Sequence, residues 1–321
     1  MIGRRAVATV AMNLRPRQGP WGGANQWARQ VAAFLRASGY RVRFDLRGEV
    51  DLILMTHTGL CDGVTFLHRE VGEYKKRRPQ VRCLHRINDN DVRKGTAGMD
   101  ALLAEANRVA DHTVFVSRWL LEHHGGKWFD KSRPHSVIEP GADPAIFHPV
   151  GNRLPEGVCR VVTHHWSDNW AKGFDIYRKV DTAIADGLLE GFELHVIGRW
   201  PKEIGWRAAK LSGPLSGRAL AERLRGCHIY LSASRWEPGP MHVAEGLQCG
   251  LPLVYHRDTG GTVEVGRRYG VEVGEDVVPG LLEARRRLPE LRRRLLESPP
   301  SGDWMALEYR RLVQRMLCGE G

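Results

Sequence analysis

Two glutamates stand eight residues apart in the run Glu237-Pro-Gly-Pro-Met-His-Val-Ala-Glu245-Gly-Leu-Gln-Cys-Gly250, and their surroundings set the chemistry open to them. The apolar run Ile229 to Leu231 reads as a buried strand, Glu237 to His242 as the loop at its carboxyl end, and Val243 to Cys249 as a short helix stopped by Gly250. That reading puts Glu245 in the first helical turn. A helix amino terminus presents N–H groups with no partner inside the helix, which suits a diphosphate. A carboxylate beside it can accept both hydroxyls of a ribose, as the acidic residue of dinucleotide-binding folds does. Glu237, on the loop, then faces the sugar of a nucleotide sugar, the Gly239 and Met241 amides face sugar or phosphate, and His242 is a further donor-binding candidate. Pro238 and Pro240 remove two N–H donors, so the loop is expected to be stiff and narrow in its choice of sugar.

The same pattern, followed by Gly246-Leu-Gln-Cys-Gly-Leu-Pro252 and then Gly260-Gly261-Thr-Val-Glu264, resembles the retaining glycosyltransferases of family 4. The resemblance implies an α/β chain with the GT-B fold, two Rossmann-like parallel-sheet domains facing across a cleft. It also implies transfer of a sugar from a nucleotide-diphospho-sugar to an acceptor hydroxyl, with the leaving phosphate assisting removal of the acceptor proton. Val137-Ile-Glu-Pro-Gly-Ala-Asp143-Pro-Ala-Ile-Phe147-His-Pro149 is similar to the segment that ends the first lobe in that family.

The family places an arginine and a Lys-Gly pair after the first strand of the second lobe, where they neutralise the donor diphosphate, and Lys172-Gly173 matches the second of these. A fixed cation there acts on charge that grows only as the glycosidic bond breaks. Ser167 occupies the arginine's place, so the missing charge must come from elsewhere or be replaced by hydrogen bonds; Arg199, just past Gly198, is the candidate for the charge. Gly22 and Gly23 stand where the family has a Gly-Gly loop facing the cleft, and glycine permits close backbone approach to phosphate or sugar. His85, at the end of a first-lobe strand, matches a family histidine beside the transferred sugar, with His57 as an alternative. Asn88 and Asp89 are candidates for acceptor binding. No metal and no cofactor enter this reading, since Lys172 and the helix terminus supply the positive potential.

These residues need two sheets to hold them. In the first half, apolar runs at Ala6 to Val10, Arg41 to Phe44, Leu52 to Met55, Val81 to Leu84, Thr113 to Val116 and Ser136 to Ile138 alternate with helical stretches such as Gln26 to Ser38. Short buried strands separated by helices predict a parallel sheet that binds ligand at its carboxyl edge. The rhythm restarts with Val158 to Thr163, Phe192 to Ile197, Ile229 to Leu231 and Leu253 to Tyr255. The expected divisions are an acceptor-side domain at 1–150, a nucleotide-sugar domain at 151–298, and a terminal helix at 299–321 that the resemblance returns to the first domain. Val150 to Gly157 reads as the linker.

Composition narrows the rest. The 321 residues, 42% hydrophobic and 26% charged, suit a soluble two-domain protein with no stretch long enough to span a bilayer. Met1-Ile-Gly-Arg-Arg followed by Ala6 to Leu14 has the outline of a leader, but the short apolar run reads as a first strand. Cysteines 61, 83, 159, 227, 249 and 318 show neither metal spacing nor a disulfide framework and fit a reducing cytoplasm. A formal charge of +11 suits an anionic partner. Part of it lies in Lys75–Arg78, Arg285–Arg287 and Arg292–Arg294, read as solvated helix faces that also admit a peripheral contact with anionic membrane. No specific nucleic acid is expected. The acceptor is left open among saccharides, lipid-linked groups and small natural products. Two other readings stay open, a GT-B nucleotide-sugar hydrolase or epimerase and a nonenzymatic basic nucleotide- or nucleic-acid-binding protein.

Overall fold

The computed structural model describes residues 7–19 and 21–319. Residues 1–6, with the leader-like start and the Ala6 at which the first strand was expected, lie outside the described residues. The first sheet consists of β1 (Thr9–Met12), β2 (Arg41–Arg43), β3 (Leu52–Met55), β4 (Arg82–Ile87), β5 (His112–Phe115) and β6 (His135–Val137), in the order β2-β1-β3-β4-β5-β6. The second consists of β7 (Cys159–His165), β8 (Phe192–Gly198), β9 (Lys210–Ser212), β10 (Ile229–Ser232), β11 (Leu253–His256) and β12 (Gly270–Val273), in the order β12-β11-β10-β7-β8-β9. All neighbours pair in parallel.

Composition explains the parallel arrangement. β3 is Leu-Ile-Leu-Met with every residue buried, which requires apolar cover on both faces, and helices supply it. In each sheet the chain leaves a central strand in one direction and later returns to its other side. These switch points lie between β1 and β3 and between β7 and β10, and the crevice at their carboxyl ends is where such sheets bind ligand.

The chain passes between the sheets twice. From Val137 to Cys159 it runs without helix or strand; after Glu297 it returns, and the helix Gly302–Cys318 packs on the first helix, Gly23–Ala37. Met305, Tyr309, Leu312, Val313 and Met316 share one face of that helix and are buried in the same core as Val10, Trp27, Val31 and Leu35. Burying each such side chain contributes roughly 1.5–3 kcal/mol. The two crossings touch. Gly302 N–H donates to the Ala142 carbonyl at 2.7 Å, and a Cβ on Gly141 would fall 2.2 Å from the Ser301 carbonyl oxygen.

Two element boundaries differ from expectation at the cleft. The first helix begins at Gly23 with Gly22 as its cap, so the Gly-Gly pair is the helix start rather than a loop. The helix after β10 begins at Met241 behind Pro240, since proline fixes a backbone suited to helix entry. Glu245 therefore belongs to its second turn. The basic clusters are largely used by the fold. Arg285 donates to the Glu190 and Gly157 carbonyls, Arg292 to the Asn152 carbonyl, Arg287 to Glu283 and Glu290, Arg293 to Glu297, and Arg294 to Glu290. Among the described residues no helix is long and apolar enough to cross a membrane.

Candidate active site

The carboxyl ends of both switch points open onto one cleft. The turn after β10 is held in a strained shape: Trp236 has φ 55°, a conformation that costs a bulky residue energy and tends to occur at functional sites. Trp236 N–H donates to the Asp258 carbonyl and Glu237 N–H to the Thr259 carbonyl, so the strain aims the next side chain, Glu237, into the cleft.

Glu237 is 3% exposed and is gripped from both lobes. Lys172 Nζ donates to its Oε1, and Arg93 Nε reaches Oε2 at 3.1 Å from the first lobe. Burial alone would push the Glu237 carboxyl up, but Lys172 and then Arg93 outweigh it and hold it at about 2. Burial pulls the Lys172 ammonium below its ordinary value, and Glu237 opposes the fall. Lys172 itself is set by Gly173, whose left-handed φ of 87° ends the preceding turn, and whose Cβ position is filled by the Ala233 backbone.

Glu245 makes a second cluster on the other side of the loop. His164 Nε2 lies 2.8 Å from its Oε2, His164 Nδ1 lies 3.0 Å from the Tyr230 hydroxyl, and that hydroxyl lies 2.9 Å from His242 Nδ1. The tautomers follow from the carboxylate, which only accepts. His164 donates to it from Nε2; with His164 neutral, its Nδ1 accepts from Tyr230, and Tyr230 accepts from His242 Nδ1–H. His242 Nε2 is then an acceptor, and it is a buried atom with no partner on a residue of the cleft wall.

The cleft wall includes Glu237, Glu245, Lys172, Ser167, Gly22, Gly23, Gly239, Met241, His242 and Asn88. The remaining expectations need correction. His85 is fully buried away from the cleft, with Nδ1 3.1 Å from Asn107 Nδ2, because alternate residues of a strand face opposite ways and the cleft side of β4 carries Arg86. Arg199 is exposed, off the cleft wall, and stacked 4.2 Å over the ring of Trp166, which lines it. His57 is off the wall, its carbonyl accepting from Asn13 Nδ2 at 2.7 Å. Asp89 is also off the wall; it pairs with Arg93 at 3.4 Å and thereby positions that guanidinium. Arg93, Arg86 and His164 were not singled out from the sequence. Arg93 lies three residues past a helix cap, where Asn90 accepts its N–H, and no spacing links it to Glu237. Two aromatic residues from opposite lobes, Trp21 and Trp166, meet at the cleft with centroids 5.6 Å apart.

Further contacts draw the lobes together around this loop. Ser117 donates to the Pro238 carbonyl, and a Cβ on Gly23 would sit 2.8 Å from Met241 Cγ. Three histidines close to or beneath the site are kept neutral by burial: His85, held at about 3, and His165 and His242, well below their ordinary value. The unfolded chain binds protons at these positions near pH 6.5 and the folded chain does not. Stability is therefore complete above that pH and falls below it, by about 1.4 kcal/mol per pH unit for each histidine until its folded value is reached. Urea unfolding between pH 7 and 4 should show this slope, and His85→Gln should flatten it; an unchanged slope in the variant would remove His85 from the account.

No protein-family model and no curated protein matches the sequence. Solved structures do match. Sucrose-phosphate synthase from Thermosynechococcus elongatus superposes with a TM-score of 0.71 at 16% identity, over 97% of this chain and 100% of that one. The catalytic domain of starch synthase IV from Arabidopsis thaliana, bound to ADP and acarbose, gives 0.67 at 11% identity over 98% and 100%. WaaG, a glycosyltransferase involved in lipopolysaccharide biosynthesis, gives 0.55 at 15% identity over 94% of each chain. The fold is GT-B. At such identities the likeness carries the architecture, and the GT-B cleft of this chain must be read from its own side chains.

Proposed function

We propose that this chain is a retaining glycosyltransferase that moves a sugar from a nucleotide-diphospho-sugar to an acceptor hydroxyl without a metal ion. The observation that carries the reading is the meeting of Glu237, Lys172 and Arg93 in the interlobe cleft, with Glu245 behind them at the β7/β10 switch point. The donor's ribose hydroxyls go to Glu245, which has one carboxylate oxygen on His164 and the other left to accept. The diphosphate goes to the start of the Met241–Gln248 helix and to Lys172, with Arg93 as the second cation in place of the arginine missing at Ser167. Glu237 and His242 Nε2 accept hydroxyls of the sugar. When diphosphate takes up Lys172, Glu237 is released toward the sugar, so donor binding and sugar recognition are one exchange of partners.

The catalytic work assigned to these groups is electrostatic. As the glycosidic bond breaks, charge grows on the leaving phosphate, and cations already fixed in a partly desolvated cleft stabilise it without reorganising. The same phosphate, next to the acceptor, takes the acceptor's proton. Among the described residues no Asp or Glu of the first lobe lines the cleft, and the proposal therefore gives the role of base to the phosphate.

A thermal-shift series with UDP-, GDP-, ADP- and TDP-sugars in metal-free buffer tests the donor site. One nucleotide should raise the melting temperature by mass action, and Glu245→Ala should reduce the shift. No shift with any of the four would sink the reading. A shift with steady sugar release and no transfer to any acceptor would favour the hydrolase alternative.

A further inference from the structure

Three cationic side chains line the cleft, Lys172, Arg93 and Arg86, against two carboxylates, Glu237 and Glu245. Glu237 takes the first two cations and Glu245 takes His164. Arg86 is left over. It is 2% exposed, and among the described residues it meets no carboxylate. Its polar neighbours are neutral: Nη1 donates to Thr56 Oγ1 at 3.1 Å and the Tyr309 hydroxyl lies beside the guanidinium; Nε is buried with no partner, and the guanidinium lies 4.6 Å over the Trp27 ring. A buried cation without a counter-charge is costly, and a folded chain usually pairs or removes it. Here an anion that arrives with the substrate would complete it.

The position says which substrate. Arg86 belongs to β4, in the first lobe, while the groups assigned to the donor (Glu245, Lys172 and the Met241–Gln248 helix) belong to the second. Gln26 and Asn88 share the first-lobe wall with Arg86 and offer neutral hydrogen-bonding groups for sugar hydroxyls. Building on the transferase reading above, we infer that the acceptor is a sugar or small polyol bearing an anionic group, a phosphate or a carboxylate, and that Arg86 receives that anion. Arginine suits the task because its planar fork meets either group through two parallel bonds.

The probes are hexose 6-phosphates and hexuronic acids beside the corresponding neutral hexoses, titrated calorimetrically against the whole protein without nucleotide. The anionic members should bind, and phosphate against carboxylate preference separates the two sources. The neutral hexoses should bind on the order of 10–100-fold more weakly, the contribution of a charge-assisted pair. Arg86→Met should abolish the preference, and Arg86→Lys, which keeps the charge but not the fork, should retain part of it. Nucleotide-sugar shifts should be unchanged in both variants. Equal binding of neutral and anionic hexoses by the native protein would overturn the inference with no variant needed. Loss of the nucleotide shift in Arg86→Met, with hexose binding intact, would also overturn it by assigning Arg86 to the donor diphosphate. A native protein that binds hexose phosphates but no nucleotide would instead leave this site standing and remove the transferase reading.

Discussion

Lys172→Met is expected to lower kcat for sugar transfer by about 10²–10³, the effect of deleting one preorganised charge partner of a developing oxyanion, while the KM for acceptor stays close to that of the native enzyme. Methionine keeps much of the buried stem in place, so the loss isolates the ammonium. Its neighbour Glu237, gripped by Arg93 as well at 3.1 Å, should remain ionised in the variant. Steady-state kinetics with the donor found by thermal shift would decide it. A tenfold or smaller fall in kcat, or a fall confined to KM, would mean that Lys172 holds the ground state and does little for the barrier.

The second large effect is on stability. Glu237→Gln preserves shape but strips the counter-charge from Lys172, whose side chain is only 14% exposed; Arg93 keeps Asp89 at 3.4 Å. Breaking a buried pair by neutralising one partner costs about 3–5 kcal/mol, and urea unfolding without ligand should show a loss of that size. A nucleoside diphosphate should recover more stability in the variant than in the native protein, because its phosphates replace the missing carboxylate. A loss under about 1 kcal/mol would show that these charges are not coupled as drawn. pH adds an independent reading. The native carboxyl is held at about 2, below its unfolded value near 4.3, so its stabilisation is complete above that value and is lost as pH falls toward 2. Glu237→Gln should lack this part of the acid transition.

The sheets were legible because their central strands are short apolar runs with no alternation, as at Leu52–Met55. The edge strands β9 and β12 were not. Lys210-Leu-Ser212 is largely exposed, and Gly270-Val-Glu-Val273 alternates around a glutamate, which is how edges read when one side has no partner. Of the site, residues in the contiguous run from Glu237 to Glu245 were readable because a loop and the helix it opens are fixed by local sequence. His85 and Arg86 show the limit. Along β4 a one-residue difference decides which side chain meets the cleft and which meets Asn107, and single-sequence pattern does not set that register. Arg93, Arg86 and His164 act across sequence separations of 144, 30 and 81 residues, with Glu237, Thr56 and Glu245 respectively. Such pairings are made by topology.

The helix Gly302–Cys318 also has a consequence for the order of events during synthesis. Lobes made of consecutive residues can fold as they leave the ribosome, the amino-terminal one first. Here the apolar face of the first lobe around Trp27 is closed by Tyr309 at a centroid distance of 5.4 Å, a residue made after the whole second sheet. The first lobe is begun first and completed last. Until residues 302–318 arrive, its nascent form exposes the Trp27 surface, while the second lobe already has all of its strands. Ribosome-bound chains ending before Gly302 should thus be protected from protease in the second lobe and open in the first.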